Sequence, residues 1–487
     1  MRRSSSLLTL ALTLAFLLPL LPQPSAWGSE LTDVIDAVDG RKPFDFTGQV
    51  RYRRSLRRAK ITREYHCNPN PYGRSREALD RAMRDASTCP GAPPQGELLN
   101  VKELRYERVT HELVPEFRFG LWRDLEFKIE MPIILQDDQT LRYAGDGGDV
   151  GGDSRAITSA ESSISPDAPF EQLINIPASG SMSGLPSRAG FGDMLFMLRF
   201  APISSERNPL GPGEDPARGD WVLELGWRAP TGSIMRYGNE AVGRGVHELI
   251  MATALSRNLG HVEPYLRLEG RLPIGASGKS YFQDYGGTQA EIGHVLPGPR
   301  VGFDFGVELT PYFNQREHIR FYIDLGLGAS YQAEGRDYSE LFDALAIGAR
   351  SCGSNGNDEA RDGKGNCAYY NQDISSSIAS RPFDGITTVE EFMILRGHLG
   401  FGFYVSKYFR IGADFSLAHE TEHFISNGEI GQDLDGDGVV YTRGSNQTVN
   451  AQEHNPTFVP NIDYVGRRIR VEETTLFQIN TMMTLIF

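Results

Sequence analysis

Asp433-Leu434-Asp435-Gly436-Asp437-Gly438 sets three carboxylates at alternate positions ahead of a glycine. Oxygen ligands at positions 1, 3 and 5, with glycine at 6, suit a loop wrapped tightly around calcium. The twelfth position is Gly444 rather than a glutamate. An EF-hand is therefore rejected, which leaves a reduced calcium loop at Asp433, Asp435 and Asp437, or an acidic solvated turn. His423 and Ser426 could pair as base and nucleophile, but they stand three residues apart. A working pair must share a face, and three steps along an extended strand point to opposite faces. Gly145 to Gly152 is glycine-rich, but it reads as a loop, not the strand-to-helix turn that cradles phosphate. No catalytic residue is assigned, and the chain reads as a non-enzyme.

Two further sets carry chemistry. Cys67, Cys89, Cys352 and Cys367 fall as two local pairs in polar surroundings. Proximity favours Cys67–Cys89 and Cys352–Cys367 among the three pairings that four cysteines allow. Disulfides suit an exported chain; zinc is the alternative, although no CxxC spacing exists. The other set is charged and recurs at alternate positions: Arg51, Arg53, Glu126, Lys128, Glu130, Arg228, Arg267, Glu269, Arg271, Asp304, Glu308, Arg320, Asp324, Arg396 and Asp414. Acids and bases in this set nearly balance.

The elements that must position these residues have a period of two. Ile319, Phe321, Ile323, Leu325 and Leu327 alternate with Arg320, Tyr322, Asp324 and Gly326; Trp221, Leu223, Leu225 and Trp227 alternate with Glu224, Gly226 and Arg228. Successive strand residues point to opposite faces, so each segment has one apolar and one charged or glycine-bearing face. The predicted strands run about 44–65, 100–121, 125–136, 191–202, 220–231, 246–257, 262–273, 300–313, 319–333, 389–405, 408–424 and 470–487. Many reach the ~9–11 residues a transmembrane strand needs. Tyr65, Trp122, Trp221, Tyr331 and Tyr404 stand at strand ends, as an interfacial girdle would place them. Short and long connections alternate. The expectation is all-β: a transmembrane antiparallel up-and-down barrel of about twelve strands with long external loops, its charged row inside as a salt-bridged plug or a narrow polar pore.

The chain opens with Met1-Arg2-Arg3 and an apolar run from Leu7 to Leu21, followed by Ala26-Trp27-Gly28. This is the pattern of a secretory signal peptide, and no Cys follows that would mark a lipoprotein. The organisation reads as a signal peptide over 1–28, a short periplasmic segment over 29–43 and a barrel over 44–487. Leu31, Val34, Ile35 and Val38 give the short segment a helical pattern, with a frayed linker as the alternative. Losing Arg2 and Arg3 takes the formal net charge from −14 to −16, which argues against nucleic acid as a partner. Mean hydropathy of −0.35 excludes a bundle of membrane helices but not a barrel. The C-terminal run Phe477 to Phe487 alternates and ends in an aromatic residue. It is similar to the signal read by the barrel-assembly machinery of Gram-negative bacteria. The implied partners are that machinery, outer-membrane lipid and lipopolysaccharide.

Two family resemblances follow. His423 and Ser426-Asn427-Gly428 invite comparison with outer-membrane phospholipase A, a twelve-stranded barrel family showing His-x-Ser-Asn-Gly; the spacing here departs from that motif, and a hydrolase is the third functional reading. Gly190-Phe191-Gly192-Asp193 and Arg228-Ala229-Pro230-Thr231-Gly232 resemble a proteobacterial barrel family named for meta-pathway phenol degradation, over about residues 105–330. That resemblance implies passage or sensing of small compounds, hydrophobic ones among them. The leading expectation is thus a pore or uptake channel for small solutes. A structural or surface-binding barrel acting through its external loops is the alternative.

Overall fold

A computed structural model of the chain describes residues 31–35, 45–66, 98–145, 156–157, 187–204, 219–235, 239–314 apart from 277–295, 316–343, 386–426, 463, 465 and 468–487. All of the ladders between its strands are antiparallel, and they close into a barrel of twelve passes. Seven passes are single strands: β1 (Phe46–His66), β2 (Leu98–Trp122), β7 (Gly219–Ala229), β8 (Val246–Arg257), β9 (Val262–Ala276), β10 (Arg300–Asn314) and β17 (Ile469–Ile486). Five passes are broken into two pieces: β3 and β4 (Leu125–Glu130, Ile133–Tyr143), β5 and β6 (Arg188–Phe191, Met194–Ile203), β11 and β12 (Ile319–Gln332, Gly335–Asp337), β13 and β14 (Thr387–Val389, Phe392–Ser406), β15 and β16 (Phe409–Glu420, His423–Ser426). Each pass pairs with its sequence neighbours. β1 then pairs with β17, from Thr47↔Ile486 to Arg63↔Ile469, which leaves no edge.

Proline marks several irregularities, because it cannot donate to a ladder. Pro132 sits in the break between β3 and β4. Pro311 falls within the register shift between Leu309 and Tyr312. The tight turns Arg123–Asp124 and Lys407–Tyr408 lie at the same end as both Phe46 and Phe487. That end is periplasmic in an outer-membrane barrel, and the long connections lie outside.

The outer wall is apolar. Phe305 is 55% exposed, Leu325 43% and Leu327 68%, alongside Leu223, Leu225, Leu395 and Leu417. A water-soluble monomer rarely exposes so continuous an apolar surface; hydrocarbon covers it here. The belt ends on the outer side where Tyr52 meets His111, with 2.7 Å between the hydroxyl and Nδ1. From Phe46 to Arg54 is about the length of a membrane crossing. The remaining length of β1 and β2 stands above the bilayer. Together, the closed strand pairing and this belt place the protein in the bacterial outer membrane.

Two sequence expectations need correction. Tyr404 is not in the girdle: it is 6% exposed and faces inward, between Arg320 and Arg410. Even-numbered positions of β14 face the lumen, and Phe403 and Val405 take the lipid side. The third pass also runs beyond residue 136, to Tyr143. Its extension Gln136-Asp137-Asp138-Gln139 is polar because it stands above the membrane, where Asp137 accepts both Arg108 Nε and Nη2 at 2.6 Å. Residues 1–28 lie outside the described residues. Of the helical pattern, only residues 31–35 are described, and these form a turn and irregular chain rather than a helix.

Candidate functional site

The inward row does not fill the barrel. It encloses a cavity of about 660 Å³, lined by Arg51, Arg53, Lys128, Glu130, Arg228, Arg267, Glu269, Arg271, Asp304, Glu308, Asp324, Arg396 and Asp414. Thirteen of the fifteen charged residues singled out from the sequence thus meet in one chamber. Glu126 and Arg320 also point inward but are buried at its periplasmic floor.

An alternating ladder of charge climbs one wall. Arg118 donates to both Glu126 oxygens, at 2.9 and 2.7 Å. Arg199 Nη1 lies 3.3 Å from Glu126, and its Nε donates to Glu224 at 2.9 Å. Arg267 reaches Glu224 at 2.7 Å and Glu269 at 2.6 Å, and Arg271 also pairs with Glu269. These contacts follow from register, since Arg199 stands directly opposite both Glu126 and Glu224. Next to this wall, Arg51 pairs with Glu116 at 3.0 Å, Lys128 with Glu130 at 2.6 Å and Arg53 with Glu112 at 3.0 Å. Charges in low dielectric persist only when paired or hydrated, and this wall pairs them.

The opposite wall, β10 to β15, is rich in glycine. A Cβ on Gly326 would strike the His398 ring, and one on Gly402 would strike the Tyr322 ring. The glycines let these rings lie flat against the wall and keep the chamber open. Tyr265 donates its hydroxyl to Asp324 at 2.8 Å and lies 2.9 Å from His398 Nε2, which is itself 3.1 Å from Asp324. Arg396 pairs with Asp304, and Arg320 with Glu308.

Chain segments cross both ends. At the floor, Arg199 donates to the carbonyls of Leu31 (2.7 Å) and Asp33 (2.8 Å), and Arg118 donates to that of Asp33 (2.6 Å). Ile35 N donates to Glu126 at 2.9 Å, while Thr32 and Ser256 share a hydrogen bond of 2.7 Å. Leu31 and Val34 pack on Ala201, Val222 and Ala254. At the outer mouth, the segment after β12, Tyr338 to Asp343, reaches β1 and β5 on the far side of the barrel and so crosses the opening. Glu340 pairs with Arg57 at 2.5 Å, Asp343 with Arg188 at 2.5 Å, and Tyr338 donates to the Met235 carbonyl at 3.0 Å. Phe342 packs with Met235, Val246 and Ile386. Burial works against the Glu340 charge, but Arg57 and then His423 outweigh it and hold this carboxyl below its usual range.

The sequence reading missed this strap. Its signal was the cluster of Tyr338, Leu341 and Phe342 just after β12, and its partners lie far away in the chain. His423 stacks on Phe392 with ring centroids 4.4 Å apart, and its Nδ1 lies 3.2 Å from the Thr421 carbonyl. His423 and Ser426 alternate faces along β16. The four cysteines and Asp433, Asp435 and Asp437 lie outside the described residues. No group of three or more metal-ligating side chains occurs among the described residues.

No family model and no curated protein matches the chain. Among solved structures, it is similar to the COG4313 outer membrane channel of Pseudomonas putida F1, at 9% identity and a TM-score of 0.40, covering 95% of this chain and 100% of that one. A FadL homologue of Pseudomonas aeruginosa follows at 8% identity and a TM-score of 0.28, covering 91% of this chain and 90% of that one. The outer membrane protease OmpT of Escherichia coli gives 8% identity and a TM-score of 0.27, covering 91% and 97%. At these TM-scores the likenesses are loose, and the barrel assignment rests on the closed strand pairing.

Proposed function

We propose that this protein is an outer-membrane channel for small solutes, gated at both ends. The observation that carries this reading is the polar chamber of about 660 Å³ at the centre of the closed barrel. A purely structural barrel of modest size is filled by its own side chains; this one spends glycines on keeping space free. The volume lies within the ~300–1,000 Å³ typical of small-molecule sites. The mixed sign of its lining suits small polar solutes better than bulk ion flow.

The floor segment and the strap make the resting barrel a poor conductor. In planar bilayers, the wild type is expected to open rarely and to small currents. Replacing Glu340 by Gln together with Asp343 by Asn frees the strap, and openings should become frequent. A folded barrel that stays silent in both forms would reject the channel.

Acid provides a second route to the same opening. The Glu340 carboxyl lies below its ordinary value of 4.5 in the folded strap. Its anchoring is therefore complete above that value and is lost as pH falls through the lowered one. Open probability should rise well below pH 4.5, and Glu340→Gln should already open more often at neutral pH, with a smaller further response to acid. An unchanged acid response in Glu340→Gln would count against the strap as the gate.

A further inference from the structure

The charge ladder ends at the outer side of the chamber on a cation. Glu269 serves both Arg267 and Arg271, and Arg271 pairs with no second carboxylate among the described residues. Directly across the β9–β10 ladder, Arg271 stands opposite Arg300. Like charges placed directly opposite destabilise a sheet. Arg300 donates Nε to Gln332 at 2.8 Å and makes no ion pair among the described residues. Arg228 reaches only Glu248, at 3.6 Å, and its buried Nε has no hydrogen-bond partner among the described residues.

The carboxylates facing these groups are engaged elsewhere. Glu248 lies 2.9 Å and Asp337 2.6 Å from Arg244, Glu420 lies 2.6 Å from Arg57, Glu130 lies 2.6 Å from Lys128, and Asp193, which also faces Arg228, accepts the backbone N–H groups of Gly232 and Arg244. Arg228 and Arg271 both line the chamber, and each of Arg228 and Arg300 has Arg271 and Arg244 as charged neighbours. The barrel thus carries a surplus of guanidinium at one level, and its own acids neutralise it only in part.

We propose that Arg228, Arg271 and Arg300 form a station for an oxyanion, the carboxylate or phosphate of a small solute, at the outer end of the chamber. Guanidinium forks match either group with paired, charge-assisted hydrogen bonds. A bound oxyanion would relieve the Arg271–Arg300 repulsion, so the cost of the empty site becomes a preference for anions. The inference rests on the channel reading for the access of solute to the chamber.

The test uses the full chain folded in detergent micelles, titrated calorimetrically with sodium benzoate and, separately, with inorganic phosphate. Saturable binding of at least one probe is expected, weakening as ionic strength rises. Benzoate alone would mark a carboxylate solute, phosphate alone a phosphorylated one. Arg228→Gln and Arg300→Gln should each weaken binding about tenfold, the loss of one charge-assisted contact. Arg228→Lys should retain more affinity than Arg228→Gln. Arg58→Gln, in an exposed pair with Glu107, should change nothing. In the empty barrel, Arg300→Gln should raise the denaturation midpoint, which a misfolded variant would not do. No saturable binding of either probe to the wild type, or binding that survives both glutamine variants, overturns the station. Binding is read without current. A barrel that binds but never conducts keeps the station and loses the channel, and one that conducts but binds neither probe does the reverse.

Discussion

Replacing Arg199 by methionine should destabilise the barrel by about 3–5 kcal/mol, the usual cost of stripping one partner from buried ion pairs. Arg199 touches Glu126 at 3.3 Å and Glu224 at 2.9 Å, and its remaining protons go to the Leu31 and Asp33 carbonyls. Methionine keeps much of the volume and none of the donors. Arg118 still holds Glu126 and Arg267 still holds Glu224, so the barrel should fold, but with a loosened floor. Urea unfolding from lipid vesicles, followed by tryptophan fluorescence, reads the first effect; more frequent channel openings read the second. Adding Glu224→Gln to the methionine variant should recover part of the stability, because it removes the charge left short of a partner. A stability loss under about 1 kcal/mol, the value of an exposed pair, would show that these groups are hydrated rather than buried.

How much of this was legible in the sequence depends on the range of the signal. Strand existence and facing are local. The pleat fixes a period of two, so rows such as Ile319 to Leu327 announce both faces directly. Twelve passes and the inward charged row follow from that alone. Tyr404 defeats the rule because Phe401, Phe403, Tyr404 and Val405 put large side chains on both faces in a short stretch. The polar extension of β4 escapes it because no hydrocarbon covers that part of the strand. Pairing is not local. Whether Arg199 meets Glu224 or slips past it is set by the register between β6 and β7, and the juxtaposition of Arg271 with Arg300 is likewise a property of two strands together. The strap and the floor are further still from view. Each is a short stretch whose structure depends on partners more than 160 residues away, Glu340 on Arg57 and Leu31 on Arg199.

Leu325→Arg should destabilise the barrel by about 2–4 kcal/mol, the cost of a basic side chain at the bilayer midplane. Leu325 lies midway along β11 on the outer wall, between Val307 of β10 and Leu399 of β14. An arginine there faces hydrocarbon and has no counter-charge among its cross-strand neighbours. The matched change on the other face is Ser416→Lys. Ser416 points into the chamber, opposite Gln478 and His398 and two residues from Asp414, where water and a carboxylate are at hand. Its effect should stay within about 1 kcal/mol, as for an ordinary accessible substitution. The contrast between the two carries the argument. Were the outer wall covered by water, Leu325→Arg would be a surface change of about half a kcal/mol, no larger than the lumen change. Were it covered by a partner sheet, detergent would not be required to keep the protein in solution. Only a lipid-facing wall around a watered chamber makes the outward charge costly and the inward one cheap, so measuring both in the same vesicles tests the orientation on which the chamber, its gates and its arginine station all depend.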